Sequence, residues 1–179
     1  MGLSFYISSS RSYQDIFRWC LVADYGDPLD VMGNGANHWS SYNKHIMGFI
    51  DRYELEEITE DGFYELQALE FVSNQSKGLL IPLDEEETGD SYILELRAPV
   101  GFDRITRYGE KIHGVVIRFS LGYTNRFTTT GIILPAGDWL LKPGVPFYDP
   151  ERALFIENLE QSNDFARVRI RHGISIPQE

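Results

Sequence analysis

The arrangement of apolar and polar positions along the chain changes near residue 50. Before that point polar and turn-forming residues dominate, except over residues 39–49, where apolar side chains recur at steps of three and four. This spacing is typical of one face of a helix. Asn37 stands where a side-chain oxygen would cap the first turn, and Gly48 is a natural stop. We therefore predict a helix within 39–49, with the apolar positions Trp39, Tyr42, Ile46, Met47 and Phe49.

After residue 50 the apolar residues come in short runs that are bounded by Gly, Pro and Asp, a pattern typical of β-strands. In the last run apolar and basic residues alternate, as expected for a strand with one solvated face. The chain is therefore predicted to be mainly β, an antiparallel β-sandwich over residues 51–179, preceded by a small loop-and-helix region over residues 1–50. The predicted strands are 52–58, 63–69, 78–83, 91–97, 114–119, 128–134, 153–159 and 166–171.

The composition predicts a folded chain without a polyanionic partner. Of the 179 residues, 42% are hydrophobic and 13% are aromatic, which is more than a disordered chain carries. The formal net charge is −11, whereas binding to a phosphate backbone or to an anionic membrane needs clustered Lys and Arg. Neither a nucleic acid nor a membrane partner is therefore expected.

The single cysteine and the four histidines show no spacing that is typical of a metal site. Cys20 is the only cysteine, so the chain has neither an intramolecular disulfide nor a thiolate zinc cluster. His38 and His45 are seven residues apart, about 10 Å along a helix axis, which is too far for both to bind one ion. His113 and His172 lie in or beside different predicted strands, with no acidic or histidine neighbour at ligand spacing. We therefore predict no metal ligand and no cofactor.

Two further groups of charged residues allow a binding interpretation beside a structural one. Glu95 and Arg97 project to the same side of a predicted strand, so they either bind a ligand or form a structural ion pair, and the ion pair is favoured. The acidic run 84–90 offers oxygen ligands for calcium, but it lacks the spacing of a known calcium loop. A solvated hairpin tip is favoured for that run.

A run of acidic, glycine and turn residues between 24 and 35 is the most distinctive stretch of the chain. It reads Asp-Tyr-Gly-Asp-Pro-Leu-Asp-Val-Met-Gly-Asn-Gly and resembles the acidic-Tyr-Gly-Asp-x-x-Asp-Val-Met-Gly run of gametolysin-type zinc metallopeptidases, a branch of the metzincins. In that family the methionine belongs to the Met-turn that supports the zinc from below. The resemblance implies such structural roles for Asp24, Tyr25, Gly26, Asp27, Asp30, Met32 and Gly33.

The resemblance continues along the chain from about residue 24 to residue 171. Residues 38–49 are similar to the helix that follows the Met-turn, and 92–103 are similar to a Tyr-x-x-Glu-x-Arg strand with its Gly-Phe-Asp turn. The segment 146–150 and the strands after it resemble the end of an accessory β-domain. On this interpretation residues 1–50 are a remnant of a metallopeptidase catalytic domain, and residues 51–179 are its accessory β-sandwich.

The family hydrolyses peptide bonds with a zinc-activated water and a glutamate base, both held by a His-Glu-x-x-His helix. That pentapeptide occurs nowhere in this sequence. When Gly2–Phe5 is laid on the Gly-x-x-His that ends the family's motif, Phe5 takes the place of the third ligand. The resemblance therefore implies a metallopeptidase-like chain that is inactive by itself, either a fragment or a degenerate relative. Members of the family are typically secreted, whereas the first residues here do not resemble a signal peptide, so the compartment is left open.

Two other interpretations remain open. The first is a non-catalytic module whose β-sandwich binds a protein or a glycan, which requires an exposed apolar or aromatic patch. The second is an unrelated β-rich structural protein in which the motif match is accidental. The sequence identifies neither the ligand nor the oligomeric state.

Overall fold

The computed structural model describes residues 4–8, 27–33, 35–83, 89–104, 109, 111–121, 129–134 and 138–174. Within these ranges there are ten strands and one short helix. In chain order they are β1 (Ser4–Ser8), α1 (Ser41–Ile46), β2 (Leu55–Glu57), β3 (Gly62–Gln67), β4 (Gly78–Pro82), β5 (Ser91–Arg97), β6 (Gly114–Leu121), β7 (Thr129–Leu134), β8 (Pro146–Asp149), β9 (Leu154–Gln161) and β10 (Phe165–Arg171).

The strands form two sheets, which confirms the mainly β, sandwich-like prediction. The larger sheet has the order β1-β7-β6-β5-β4-β2, and the smaller has the order β3-β10-β9-β8. Most neighbours are antiparallel, but β1 runs parallel to β7 and β2 runs parallel to β4. No helix among the described residues is long and apolar enough to cross a membrane.

The main core lies between the two sheets and follows from the period-two alternation of the strands. In β5 and β6 every second residue points to this core, and the same holds for β9 and β10. Its members include Tyr92, Leu94 and Leu96 of β5, Val115, Ile117 and Phe119 of β6, and Leu66, Ile156 and Val168 of the smaller sheet. The positions of β10 that alternate with its core residues are largely polar and at least partly exposed. The outer face of the smaller sheet is therefore exposed to solvent, as its sequence predicts.

The outer face of the larger sheet is covered as well. All seven residues of β5 are buried, because the segment before α1 and α1 itself lie across this face. Leu29 packs with Ile112, Val116, Ile132 and Leu140, and Tyr42 packs with Leu55 and Ile93. Contacts therefore cross residue 50, where the sequence places a domain boundary. The division into a catalytic remnant and an accessory domain stays a prediction.

The helix differs from the prediction in its start, its length and its buried face. It covers Ser41–Ile46, and its N-cap is Ser40 rather than Asn37, since the Ser40 side chain accepts a hydrogen bond from Asn43 N at 3.2 Å. The Asn37 amide instead donates to Phe102 O at 3.1 Å. Gly48, with φ of 75°, ends the segment as predicted. Tyr42 is buried, whereas Ile46, Met47 and Phe49 are exposed.

The apolar pattern predicts eight of the strands but neither β1 nor β8. β8 has four residues and begins at a proline, so it carries too few alternating positions to signal a strand, although the resemblance places a terminal strand near 146–150. Phe5, which the resemblance puts at the third zinc-ligand position, lies in β1 opposite Gly131 of β7.

Candidate functional site

The motif segment is the run of residues 24–35, and its described residues 27–33 fold into consecutive turns stabilised by their own carboxylates. Asp27 Oδ1 accepts a hydrogen bond from Leu29 N at 2.7 Å, and Asp30 Oδ1 accepts one from Met32 N at 2.8 Å. The carbonyl oxygen of Asp30 also accepts a hydrogen bond from Gly33 N at 2.9 Å. A Cβ atom on Gly33 would lie 2.4 Å from Asp27 O, so this turn requires glycine. Asp24, Tyr25 and Gly26 lie outside the described residues.

The carboxylate of Asp27 is one end of a buried network of five charged side chains. It pairs with the guanidinium of Arg118, whose Nε donates to Glu95 Oε1 at 2.9 Å. The same Glu95 oxygen accepts from Arg97 Nε at 2.9 Å, and Arg97 Nη1 donates to Asp103 Oδ2 at 2.7 Å. All five side chains are completely buried. The structural ion pair expected between Glu95 and Arg97 is therefore confirmed, as part of a larger cluster.

Mutual attraction keeps this cluster ionised although it is buried. Burial disfavours the charged form of Glu95, but Arg118 and Arg97 outweigh that cost and hold the pKa of Glu95 far below its usual range. Burial likewise disfavours the charged form of Arg118, but Asp27 and Glu95 keep its pKa above the usual value. Such groups are costly to bury unless each is paired, and here each has an oppositely charged partner.

The network also fixes the backbone that leads into α1. Arg97 Nη1 and Nη2 both donate to His38 O at 3.1 Å, and Asp103 Oδ1 accepts from His38 N at 3.0 Å. Ser40 N donates to Asp30 Oδ2 at 2.9 Å, while Ser41 N donates to Glu95 Oε2 at 2.6 Å. Backbone N–H groups at the start of a helix have no partner within the helix. Here the carboxylates of Asp30 and Glu95 accept hydrogen bonds from two of them. This explains why the helix begins at Ser41.

An open cleft of about 420 Å³ lies beside the segment 38–41, which these hydrogen bonds hold in place. Trp39 and Phe49 stack in it, with ring centroids 5.1 Å apart and an interplanar angle of 26°. Phe49 is 63% exposed, and Val72, which also lines the cleft, is fully exposed. The lining is mostly apolar and is formed by His38, Trp39, Lys44, Phe49, Ile50, Glu54, Leu69, Glu70, Phe71, Val72, Ser73 and Lys77.

Glu70 is the central polar group of the cleft. Its Oε2 contacts His38 Nε2, and its Oε1 lies 3.6 Å from Lys44 Nζ. Burial raises the pKa of Glu70, and burial together with the neighbouring Lys44 lowers the pKa of His38. The edge of the His38 ring also packs against Phe102, with centroids 5.1 Å apart. The pair therefore favours its uncharged form more than either group does in water.

Lys77 lies at the base of the cleft, with its ammonium group turned into the protein. Its Nζ donates to Phe71 O and, at 3.1 Å, to Ser73 Oγ. The side chain is 2% exposed, and burial lowers its pKa. Three ionisable groups with shifted pKa values thus meet in one cleft, which is a common feature of functional sites.

A zinc centre does not fit the described residues. His38 lies beside Glu70, His172 Nδ1 lies 2.9 Å from Asp61 Oδ1, and His113 Nε2 lies 3.1 Å from Ser162 O, so no two of these histidines share a partner. No group of three His, Cys, Asp or Glu side chains with metal-binding geometry occurs in the described part of the chain. The motif carboxylates Asp27 and Asp30 point to Arg118 and to backbone N–H groups.

Comparison of the chain with protein-family profiles, curated proteins and solved structures finds no significant match. The metallopeptidase resemblance therefore depends on the order of its motifs along the sequence. Of the motif residues, Asp27 pairs with Arg118 of β6, Asp30 accepts a hydrogen bond from Ser40 N, and Met32 is half-buried in the turn. Glu70 carries no sequence signal, because its partners His38 and Lys44 lie far from it in the chain. Lys77 carries none either, because its partners include a backbone carbonyl, which no side-chain pattern reveals.

Proposed function

We propose that this chain is a gametolysin-type, metallopeptidase-like protein that recognises a protein or a glycan without hydrolysing it by itself. The observation that carries the proposal is the open cleft beside the motif segment. It combines exposed aromatic and aliphatic side chains with a few convergent polar groups, which is the usual character of a binding site. The clamp formed by Arg97 and Asp103 on His38 holds one wall of the cleft in place.

The non-hydrolytic part of the proposal follows from the chemistry of the side chains. The sequence lacks the His-Glu-x-x-His pentapeptide, which supplies two zinc ligands and the general base in this type of enzyme. The two motif carboxylates within the described residues already have partners. Asp27 pairs with Arg118, and Asp30 accepts a hydrogen bond from the backbone N–H of Ser40, just before α1. Their role is structural, because they hold the turn and the start of α1 in place.

Binding is tested by retention of defined ligands on the immobilised protein. One mixture contains peptides from a digested protein, and the other contains oligosaccharides of known composition. Phe49→Asp places a charge in the cleft, whereas Phe63→Asp is the matched control, because Phe63 is 59% exposed on the smaller sheet. We expect the wild-type chain and the control to retain ligands that Phe49→Asp loses.

The same preparations are assayed for cleavage of a fluorogenic protein substrate, with added zinc and with a chelator. We expect no cleavage that depends on zinc. The proposal is overturned by chelator-sensitive cleavage, by the absence of any retained ligand, or by retention that Phe49→Asp leaves unchanged.

A further inference from the structure

We propose that the ligand of the cleft is a neutral oligosaccharide, whose sugar rings lie against Trp39 and Phe49 and whose hydroxyl groups bond to the polar groups around Glu70. This inference depends on the proposed function, since it names the ligand class of the same cleft. It is carried by the balance of charge in the cleft, by its exposed rings and by the indole N–H of Trp39, which has no partner among the described residues.

The formal charges of the lining balance, with Lys44 and Lys77 against Glu54 and Glu70. The ammonium group of Lys77 is turned away and bonded to backbone carbonyl and hydroxyl oxygens. Lys44 and His38 both face Glu70, which is their shared partner. A charged ligand would therefore have to separate existing partners and leave one of them unpaired in a partly buried place, which is costly. A neutral ligand avoids this cost.

The rings of the cleft provide a surface for a ligand that is apolar on its faces. Trp39 and Phe49 stack on each other, and Phe49 remains 63% exposed. Phe71 and Val72 also line the cleft. The C–H faces of a pyranose ring pack against such aromatic groups, while its hydroxyls remain at the ring edge and are free to bond.

Polar groups in the lining favour a sugar over an apolar peptide side chain. The indole N–H of Trp39 has no hydrogen-bond partner among the described residues, and Oε1 of Glu70 has only Lys44 Nζ, at 3.6 Å. An apolar side chain placed beside Glu54, Glu70 and Lys44 would remove water from them and return no hydrogen bond, which is unfavourable. A hydroxyl group both donates and accepts, so a sugar replaces the water that it displaces.

The test is a titration followed by tryptophan fluorescence. The probes are the neutral hexasaccharides of β-linked glucose, mannose and xylose, an oligogalacturonate as the anionic sugar, a glucosamine oligomer as the cationic sugar, and a soluble peptide rich in Leu and Phe. The chain has three tryptophans, so the signal is assigned with variants. Trp39→Phe removes the reporter in the cleft, and Trp139→Phe is the control, because Trp139 packs in the separate cluster around Leu29.

We expect at least one neutral hexasaccharide to bind with a dissociation constant between about 10 µM and about 1 mM. The fluorescence change should persist in Trp139→Phe, disappear in Trp39→Phe and be insensitive to added salt, because screening weakens only interactions between charges. Phe49→Asp should weaken binding at least about tenfold.

Three outcomes would overturn the inference. Binding of the peptide alone, with a signal from Trp39, would refute the sugar and leave the proposed function standing. Binding of only a charged sugar, weakened by salt, would refute the neutral character of the ligand. Absence of saturable binding by every probe up to about 10 mM would count against both the inference and the proposed function.

Discussion

The carboxylate of Asp27 pairs with the guanidinium of Arg118, a residue 91 positions later in the chain, and both side chains are completely buried. The pair joins the turn that carries the metallopeptidase-like motif to the centre of the larger sheet. Through Glu95 and Arg97 the same contacts reach the backbone of His38. One continuous set of ion pairs therefore connects the motif to the wall of the cleft.

Replacing Asp27 by Asn should destabilise the protein by about 3 kcal/mol, because it leaves a buried guanidinium short of one negative partner. The loss is measured as the free energy of unfolding in urea. Asp138→Asn is the matched control, since Asp138 forms an exposed pair with Lys142 and such pairs contribute less than about 1 kcal/mol. Equal effects of the two substitutions would show that the network does not anchor the motif segment.

Gly33→Ala should be strongly destabilising, by more than about 2 kcal/mol, because the new Cβ would lie 2.4 Å from the backbone oxygen of Asp27. Gly62→Ala is the comparison, since its Cβ would meet only side-chain atoms of Tyr64 at 3.1 Å or more. Its cost should be smaller, as the ring can shift. Thermal unfolding of both variants provides the measurement, and a Gly33→Ala protein as stable as Gly62→Ala would contradict the geometry of the turn.

Acid should weaken the protein through Glu95. Its pKa is lower in the folded state than in the unfolded chain, so its contribution to stability is fully present above about pH 4.3 and is lost as the pH falls through the folded value. Between about pH 4 and about pH 2 the free energy of unfolding should therefore fall more steeply in the wild-type protein than in Glu95→Gln. Parallel slopes in urea unfolding would rule out this origin.

His38 should titrate below the usual histidine pKa of about 6.5, because burial and Lys44 oppose its protonation. A lowered folded pKa means that stability from the neutral imidazole is present above about 6.5 and is lost as the pH falls. Glu70 acts in the opposite sense, since its raised pKa makes stability fall as the pH rises through its titration. Proton–carbon NMR of the imidazole, assigned with His38→Gln, measures the value. A pKa above 6.5 would mean that the charge of Glu70 outweighs burial.

The regular strands of this fold can be predicted because they alternate strictly. The strand predicted over 91–97 matches β5 in both bounds, and Gly48 ends the helical segment as expected. The start of α1 depends instead on tertiary contacts, because Asp30 and Glu95 hold the backbone at Ser40 and Ser41. A local capping rule that favours Asn37 cannot include partners that lie far away in the sequence.

The candidate site was harder to predict than the fold for the same reason. Glu95 and Arg97 are two residues apart, so their pairing follows from the geometry of one strand. The contact between His38 and Glu70 joins the segment just before α1 to a turn after β3. No rule based on sequence spacing predicts a contact between these two positions. Cys20 lies outside the described residues. So do residues 84–88 of the acidic run, for which a calcium loop and a hairpin tip are the two interpretations.

We propose that the motif segment is a structural anchor for a binding cleft and not part of a zinc centre. Elemental mass spectrometry of the exhaustively exchanged protein tests this, combined with the unfolding temperature measured with and without added zinc. We expect far less than one zinc per chain and an unchanged unfolding temperature. About one zinc per chain that survives exchange and raises the unfolding temperature would contradict it, because folding would then assemble a site from the histidines or carboxylates that we assign to other partners.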